Sequence, residues 1–260
     1  MASPILVLCP GAFGTPDGFN KMLPFLAQSG IETKPGAYPS CNPQDPTRAT
    51  CAADIAHLRD NVLLPILDRQ QRDIVLLAHS YGGIVGGAAC KGLDKQTRSR
   101  QGHKTGIVGL IYVAGNIALE GESLLDTVGG SYPNFIKQNK PSAGLAVLEP
   151  HMDILYHDCD RSQAEALGRA MLPHATQAFE TPASAPGWGD AGFDERRVYI
   201  QTMDDQCNPV ALQDNWLAKT RVEWEVVDFQ SGHMPFVSKP GTLAEQIARS
   251  FRGILGLRGI

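Results

Sequence analysis

"DIVLLAHSYGG", residues 73–83, carries an apolar run up to His79-Ser80-Tyr81 and turns at once into two glycines. The run shows no polar alternation, which is the pattern of a strand buried on both faces of a parallel sheet. A serine at the tip of such a strand, followed by small residues, is a device for presenting a nucleophile. Taken alone, S-x-G also suits a plain turn before a helix. The rest of the chain decides between the two readings.

Working outward, short β-rich runs alternate with helical patterns. "PILVLCP" (4–10) reads as a strand, and "TPDGFNKMLPFLAQSG" (15–30) as a helix with a Thr-Pro start and a Gly30 stop. "IETKPGAY" (31–38) is a weaker strand, and 45–70 has apolar residues at helical spacing, with Pro65 as a kink or terminator. After the central strand, "YGGIVGGAACKGL" (81–93) is a small-residue helix able to lie close to a sheet, and "GIVGLIYVAGN" (106–116) is another buried strand. Alternation resumes with "RRVYIQT" (196–202), "PVALQDNWLAKT" (209–220), "RVEWEVVDF" (221–229) and a last helix at 241–256. The fold class is therefore α/β, with a mostly parallel central sheet and helices on both faces. Residues 1–116 and 196–260 form the core. Residues 117–195, with helical fragments such as 161–172 and the loop "TPASAPGWGDAG" (181–192), form a helical cap insertion over the ligand-binding edge of the sheet.

Composition agrees with one globular domain: 260 residues, 43% apolar and 19% charged. The net charge of −4 and the absence of a basic cluster argue against a nucleic-acid partner; "KQTRSRQGHK" (95–104) reads as a solvated connection. The cysteines at 9, 41, 51, 90, 159 and 207 form no CxxC and no zinc spacing. Cys9 and Cys90 read as buried, and Cys41 and Cys51 as free thiols that an oxidising compartment could pair. "MASPILVLCPGAFG" lacks a basic leader region, and no segment approaches the ~18 apolar residues of a membrane span. The expectation is a soluble, cytoplasmic protein acting on a small molecule, with no membrane partner and with a homodimer left open.

Acyl chemistry needs a nucleophile, a base and a group that orients the base. One candidate for each follows a predicted strand: Ser80, Asp204 or Asp205, and His233. In an open parallel sheet those strand ends share one edge. "CPGAFG" (9–14), after the first strand, can aim a backbone N–H at a developing oxyanion. Ala12 and Tyr81 are the two expected donors, with Phe13 lining the site.

With these residues in place the chain resembles the α/β-hydrolases, and within them the methylesterase and hydroxynitrile lyase-like group and its microbial relatives. "HSYGG", "QTMDDQCNP" and "SGHMPFVSKP" carry the likeness, which runs from "VLCPGAFG" to the last helix. In that group the acid lies four residues before a proline, which implies Asp205 ahead of Pro209, with Asp204 the alternative. Hydroxynitrile lyases of the group carry Lys after the catalytic His and Thr in the first loop. Met234 and Gly11 stand there, so the resemblance implies ester hydrolysis, with Met234 beside substrate. Pro10 replaces a His found in many relatives. The expected activity is cleavage of a carboxylic ester or lactone of a small, largely apolar molecule, without cofactor or metal. A lyase or cyclase using the same residues for proton transfer, or a non-hydrolysing receptor, is the alternative.

Other residues invite weaker readings. His79 is expected to make a structural hydrogen bond. His151, His157, Asp153, Asp158 and Asp160 read as polar cap surface, and Gly129-Gly130 as a turn. Met152, Leu155, Tyr156, Phe179 and Trp188 are candidates for the pocket wall, with Trp188 the one assigned to substrate.

Overall fold

The computed structural model describes residues 3–257. Its strands are β1 (Ile5–Cys9), β2 (Thr33–Pro35), β3 (Ile74–His79), β4 (Ile107–Val113), β5 (Ile136–Gln138), β6 (Leu145–Leu148), β7 (His174–Ala175), β8 (Arg197–Thr202) and β9 (Glu225–Phe229). Six of them form a parallel sheet in the order β2-β1-β3-β4-β8-β9. The apolar runs become β1, β3 and β4, buried along their whole length, as is β8. At the edge, β9 exposes Glu225 and Asp228, charges that discourage pairing with another chain.

Small residues set how closely helices approach this sheet. Cys9, Ala78 and Tyr112 are register partners and share one face. The helix Gly82–Ala89 lies on that face, where a Cβ at Gly86 would stand 2.9 Å from Leu76. On the opposite face Gly109 leaves room for Ile254, at the end of the helix Pro240–Ile254. Helices thus cover both faces, as the alternating pattern requires.

The helix Cys51–Leu58 starts at Thr50, whose hydroxyl accepts the Ala53 N–H at 3.2 Å. Pro65 does not end it. The chain continues through two wide turns, in which Leu64 N–H reaches the Arg59 carbonyl and Gln70 N–H reaches the Pro65 carbonyl. Widening the turn accommodates a residue that has no N–H to give.

Between β4 and β8 lie the short helices Leu124–Thr127, His151–Leu155, Arg161–Ala170 and Gln177–Glu180, together with an antiparallel sheet β5-β6-β7. The sequence reading expected only helical fragments here. These strands have three, four and two residues, too few to display a period of 2. The segment is fastened to the core by main-chain bonds: Ala175 N–H to Ser40 and Asn42 N–H to Pro173. Among the described residues no helix is long and apolar enough to cross a membrane.

Gly109→Ala is expected to cost about 1–3 kcal/mol by overpacking against Ile254. In urea unfolding, the double variant Gly109→Ala/Ile254→Ala should lose less than the sum of the singles, because the two side chains compete for one space.

Candidate active site

Ser80 sits just past β3 with φ of 51°, a left-handed conformation that a residue with a Cβ adopts at a cost. Its carbonyl is held by the N–H groups of Gly83 (2.8 Å) and Asn116 (2.9 Å). The next residues lie against neighbouring loops on both sides. A Cβ on Gly82 would run into the Cys9 and Pro10 carbonyls, and one on Gly83 into the backbone of Asn116. The "SYGG" pattern is therefore a packing requirement: the turn is wedged between the ends of β1 and β4.

Gly11 performs the matching service from the other side. A Cβ there would stand 2.9 Å from His79 Nδ1 and 3.0 Å from Ser80 Cβ, so only glycine lets the loop after β1 lie directly on the serine. Phe13 follows with φ of 63°. Its N–H donates to His174 Nδ1 at 3.3 Å, and its carbonyl accepts the Leu172 N–H at 3.0 Å. Ala12, between Gly11 and Phe13, lines the same cavity as Ser80, and Tyr81 follows Ser80 in the turn itself.

His233 Nδ1 donates to Asp205 Oδ2 at 2.7 Å, with both side chains buried. Asp205 also accepts from Thr202 Oγ1 and from the N–H groups of Cys207 and Asn208, each at 2.8 Å. Asp204 takes no part in this; its carboxylate receives Gln230 Nε2 at 2.6 Å on the surface. Burial opposes charge on both members of the pair, but their mutual attraction outweighs it. Asp205 is held below the usual carboxylate value, and His233 is raised well above 6.5. His79 Nε2 donates to the His233 carbonyl at 2.9 Å, and burial pushes the His79 pKa down to about 3, so this ring is neutral.

Ser80 and His233 both open on a cavity of ≈ 190 Å³ whose walls are mainly apolar. Of the residues expected there, Phe13, Met234, Leu155, Tyr156 and Phe179 line it. Met152 and Trp188 do not. Trp188 is a correction: it is buried under the helix Gly82–Ala89 in the space that Gly87 leaves, and its carbonyl binds Arg197. Sequence reading did not single out Leu124, Val128, Tyr132, Phe135, Leu167 and Met171, which complete much of the wall. The i, i+4 spacings of Leu124 with Val128 and of Leu167 with Met171, the latter in the helical stretch 161–172, were the available signals; Tyr132 and Phe135 belong to a segment without a clear period.

Residues 151–160 do not meet as a ligand set. Asp158 Oδ2 instead accepts the Gly232 N–H at 2.8 Å, one residue before His233. His151 packs edge-on against Tyr156. Among the described residues no cluster of three or more His, Cys, Asp and Glu is arranged to hold a metal ion. The six cysteines are free. Gly129 and Gly130 have positive φ and close the helix Leu124–Thr127, where Gly130 N–H reaches the Leu125 carbonyl.

Comparison with known proteins follows the same lines. The model of the "Alpha/beta hydrolase family" matches residues 6–246. The "Alpha/beta hydrolase nvfD" of Aspergillus novofumigatus is 24% identical over 250 residues, covering 95% of this chain and 96% of that protein. A "Pyrethroid hydrolase" of Sphingobium wenxiniae is 25% identical, covering 94% and 86%. Among solved structures, the pyrethroid hydrolase PytH superposes with a TM-score of 0.73 at 20% identity, covering 95% of this chain and 96% of that one. At that identity the likeness is one of fold.

Gly83→Ala is expected to destabilise the protein by more than about 2 kcal/mol, since the obstacle is backbone and no rotamer relieves it. Urea titration beside Gly189→Ala, a site with open space around it and no positive φ, checks the contrast.

Proposed function

Because the chain belongs to the alpha/beta hydrolase family, we propose that it hydrolyses a carboxylic ester or lactone of a small, largely apolar molecule through an acyl-serine intermediate. One observation carries this reading: a serine held in a strained turn and a buried His–Asp pair open on the same apolar cavity. Similarity to a pyrethroid hydrolase and to a carbendazim-hydrolysing esterase supports ester-type substrates.

Ser80 Oγ attacks the carbonyl carbon as His233 Nε2 takes its proton. Asp205 holds the imidazole by Nδ1, which leaves Nε2 toward the serine, and stabilises the imidazolium as it forms. The N–H groups of Ala12 and Tyr81 receive the oxyanion. His233 then gives the proton to the leaving alcohol. A water molecule, deprotonated by the same ring, releases the acid and restores Ser80. The apolar wall favours hydrophobic acyl or alcohol groups, and residues 117–195 act as the cap that supplies most of it.

Ser80→Ala should abolish both turnover of p-nitrophenyl butyrate and labelling by a fluorophosphonate; labelling that persists away from Ser80 overturns the reading. Asp205→Asn should lower kcat about 10⁴-fold, against a change within about threefold for Asp204→Asn.

The pH dependence has a definite sign. His233 acts as a base only when uncharged, so kcat/KM rises with pH through its titration. The raised pKa puts that limb above 6.5 in the native protein. Asp205→Asn removes the charge that raises it, and the limb of the residual activity should move to lower pH. A pH–rate profile of both proteins measures the shift.

A further inference from the structure

Away from the cavity, Ser40, Asp54 and His174 make a polar cluster with no solvent exposure that the reaction above leaves unused. Ser40 Oγ donates to Asp54 Oδ2 at 2.5 Å and lies 2.7 Å from His174 Nε2. The Tyr81 hydroxyl donates to the same Asp54 oxygen at 2.8 Å. At the other end, Phe13 N–H donates to His174 Nδ1. That bond fixes the tautomer: with Nδ1 accepting, Nε2 carries the proton and gives it to Ser40 Oγ. Burial keeps the ring neutral, with a pKa of about 3. A single chain of hydrogen bonds therefore runs from the Phe13 amide through His174, Ser40 and Asp54 to the Tyr81 hydroxyl.

These are the residue types of a hydrolytic triad in the wrong order. Ser40 stands between the imidazole and the carboxylate, its proton goes to the carboxylate, and nothing opens beside it for a substrate. The ends of the chain are more informative. Phe13 adjoins Ala12, and Tyr81 bears the second N–H assigned to the oxyanion. The ring of His174 is itself fixed, stacked on Phe179 at 4.9 Å with Tyr81 edge-on at 5.5 Å.

Resting on the oxyanion assignment in the reaction above, we propose that His174, Ser40 and Asp54 form a positioning relay that sets the Ala12–Phe13 turn and Tyr81 relative to each other. His174 comes from the segment between β4 and β8, so that segment takes part in shaping the oxyanion site as well as the pocket wall. Such a device is needed because Phe13 and Ser80 both hold positive φ, and a turn free to relax would carry its donor out of the short range in which an oxyanion is stabilised.

The test uses Ser40→Ala and Tyr81→Phe. Neither side chain lines the cavity, and the second variant keeps its backbone N–H. Both should lower kcat for p-nitrophenyl butyrate about 10–100-fold with KM within about twofold, since the loss falls on the transition state. Amide hydrogen exchange at Phe13 should quicken about tenfold or more in both, while β1 and β3 amides stay protected. A purely structural role would lower the melting temperature and leave kcat of the folded protein and Phe13 exchange unchanged, which overturns the proposal. If Ser40→Ala fails to fold, Tyr81→Phe, which deletes one oxygen far along the chain from Phe13, decides it. If Ser80→Ala is inactive while the relay variants turn over like wild type, the relay fails and the hydrolase reading stands. If wild type cleaves no ester, the hydrolase reading fails and Phe13 exchange decides the relay.

Discussion

Holding Ser80 at a φ of 51° is the constraint on which the rest of the molecule depends. The conformation is costly, and it persists because the turn is gripped from two sides at once. The loops after β1 and β4 close on Gly82 and Gly83 with no room for a Cβ, while Gly83 and Asn116 amides hold the serine carbonyl. Those loops are where they are because β1, β3 and β4 are parallel neighbours in register. The buried apolar strands thus do more than make a core. Their register places three loop ends together, and the strain at one is balanced by packing at the other two.

The segment between β4 and β8 is tied into this arrangement through main-chain groups of the loops that carry the proposed reacting groups. Leu172 N–H binds the Phe13 carbonyl, and Asp158 receives the Gly232 N–H next to His233. The same segment supplies Leu124, Tyr132 and Phe179 to the cavity wall. A displacement of it would therefore act on both the first loop and the histidine loop, as well as on the room available to a substrate. Substrate fit and the geometry of the proposed reacting groups are coupled through these bonds, and the second requires glycine at 232, where a Cβ would stand 2.7 Å from Asp158 Oδ1.

Legibility in the sequence followed chain locality. The strands that carry Ser80 and the core were readable because each is a continuous apolar run flanked by turn residues. Asp205 and His233 were readable because each falls a few residues past such a run; the choice of Asp205 over Asp204 came from resemblance, and the geometry puts Asp205 on His233. The short strands β5, β6 and β7 were not readable, since two to four residues cannot show a period. Trp188 misled because an aromatic in a Gly/Pro loop looks available, whereas Gly87, a hundred residues earlier, had made a place for it. The Ser40–Asp54–His174 cluster had no local signal at all, because its members come from a loop, a helix and a two-residue strand.

Two of the buried aspartates, Asp205 and Asp54, show how one side chain serves two ends. Asp205 has an imidazole partner and three further donors, and its pKa is lowered. Asp54 is buried too, but its hydrogen-bond donors are the neutral Ser40 amide, Ser40 hydroxyl and Tyr81 hydroxyl; burial prevails and its pKa is raised. The difference follows from whether a group that can carry positive charge sits on the carboxylate. A carboxylate that must stabilise a forming imidazolium needs its full charge, and the His233 contact maintains it. One that only has to accept hydrogen bonds needs no cation. Burial keeps His174 neutral, while His233 is drawn toward the charged form by Asp205. With Ser40 between ring and carboxylate, the His174 imidazole meets a hydroxyl in place of a charge, and burial sets its pKa.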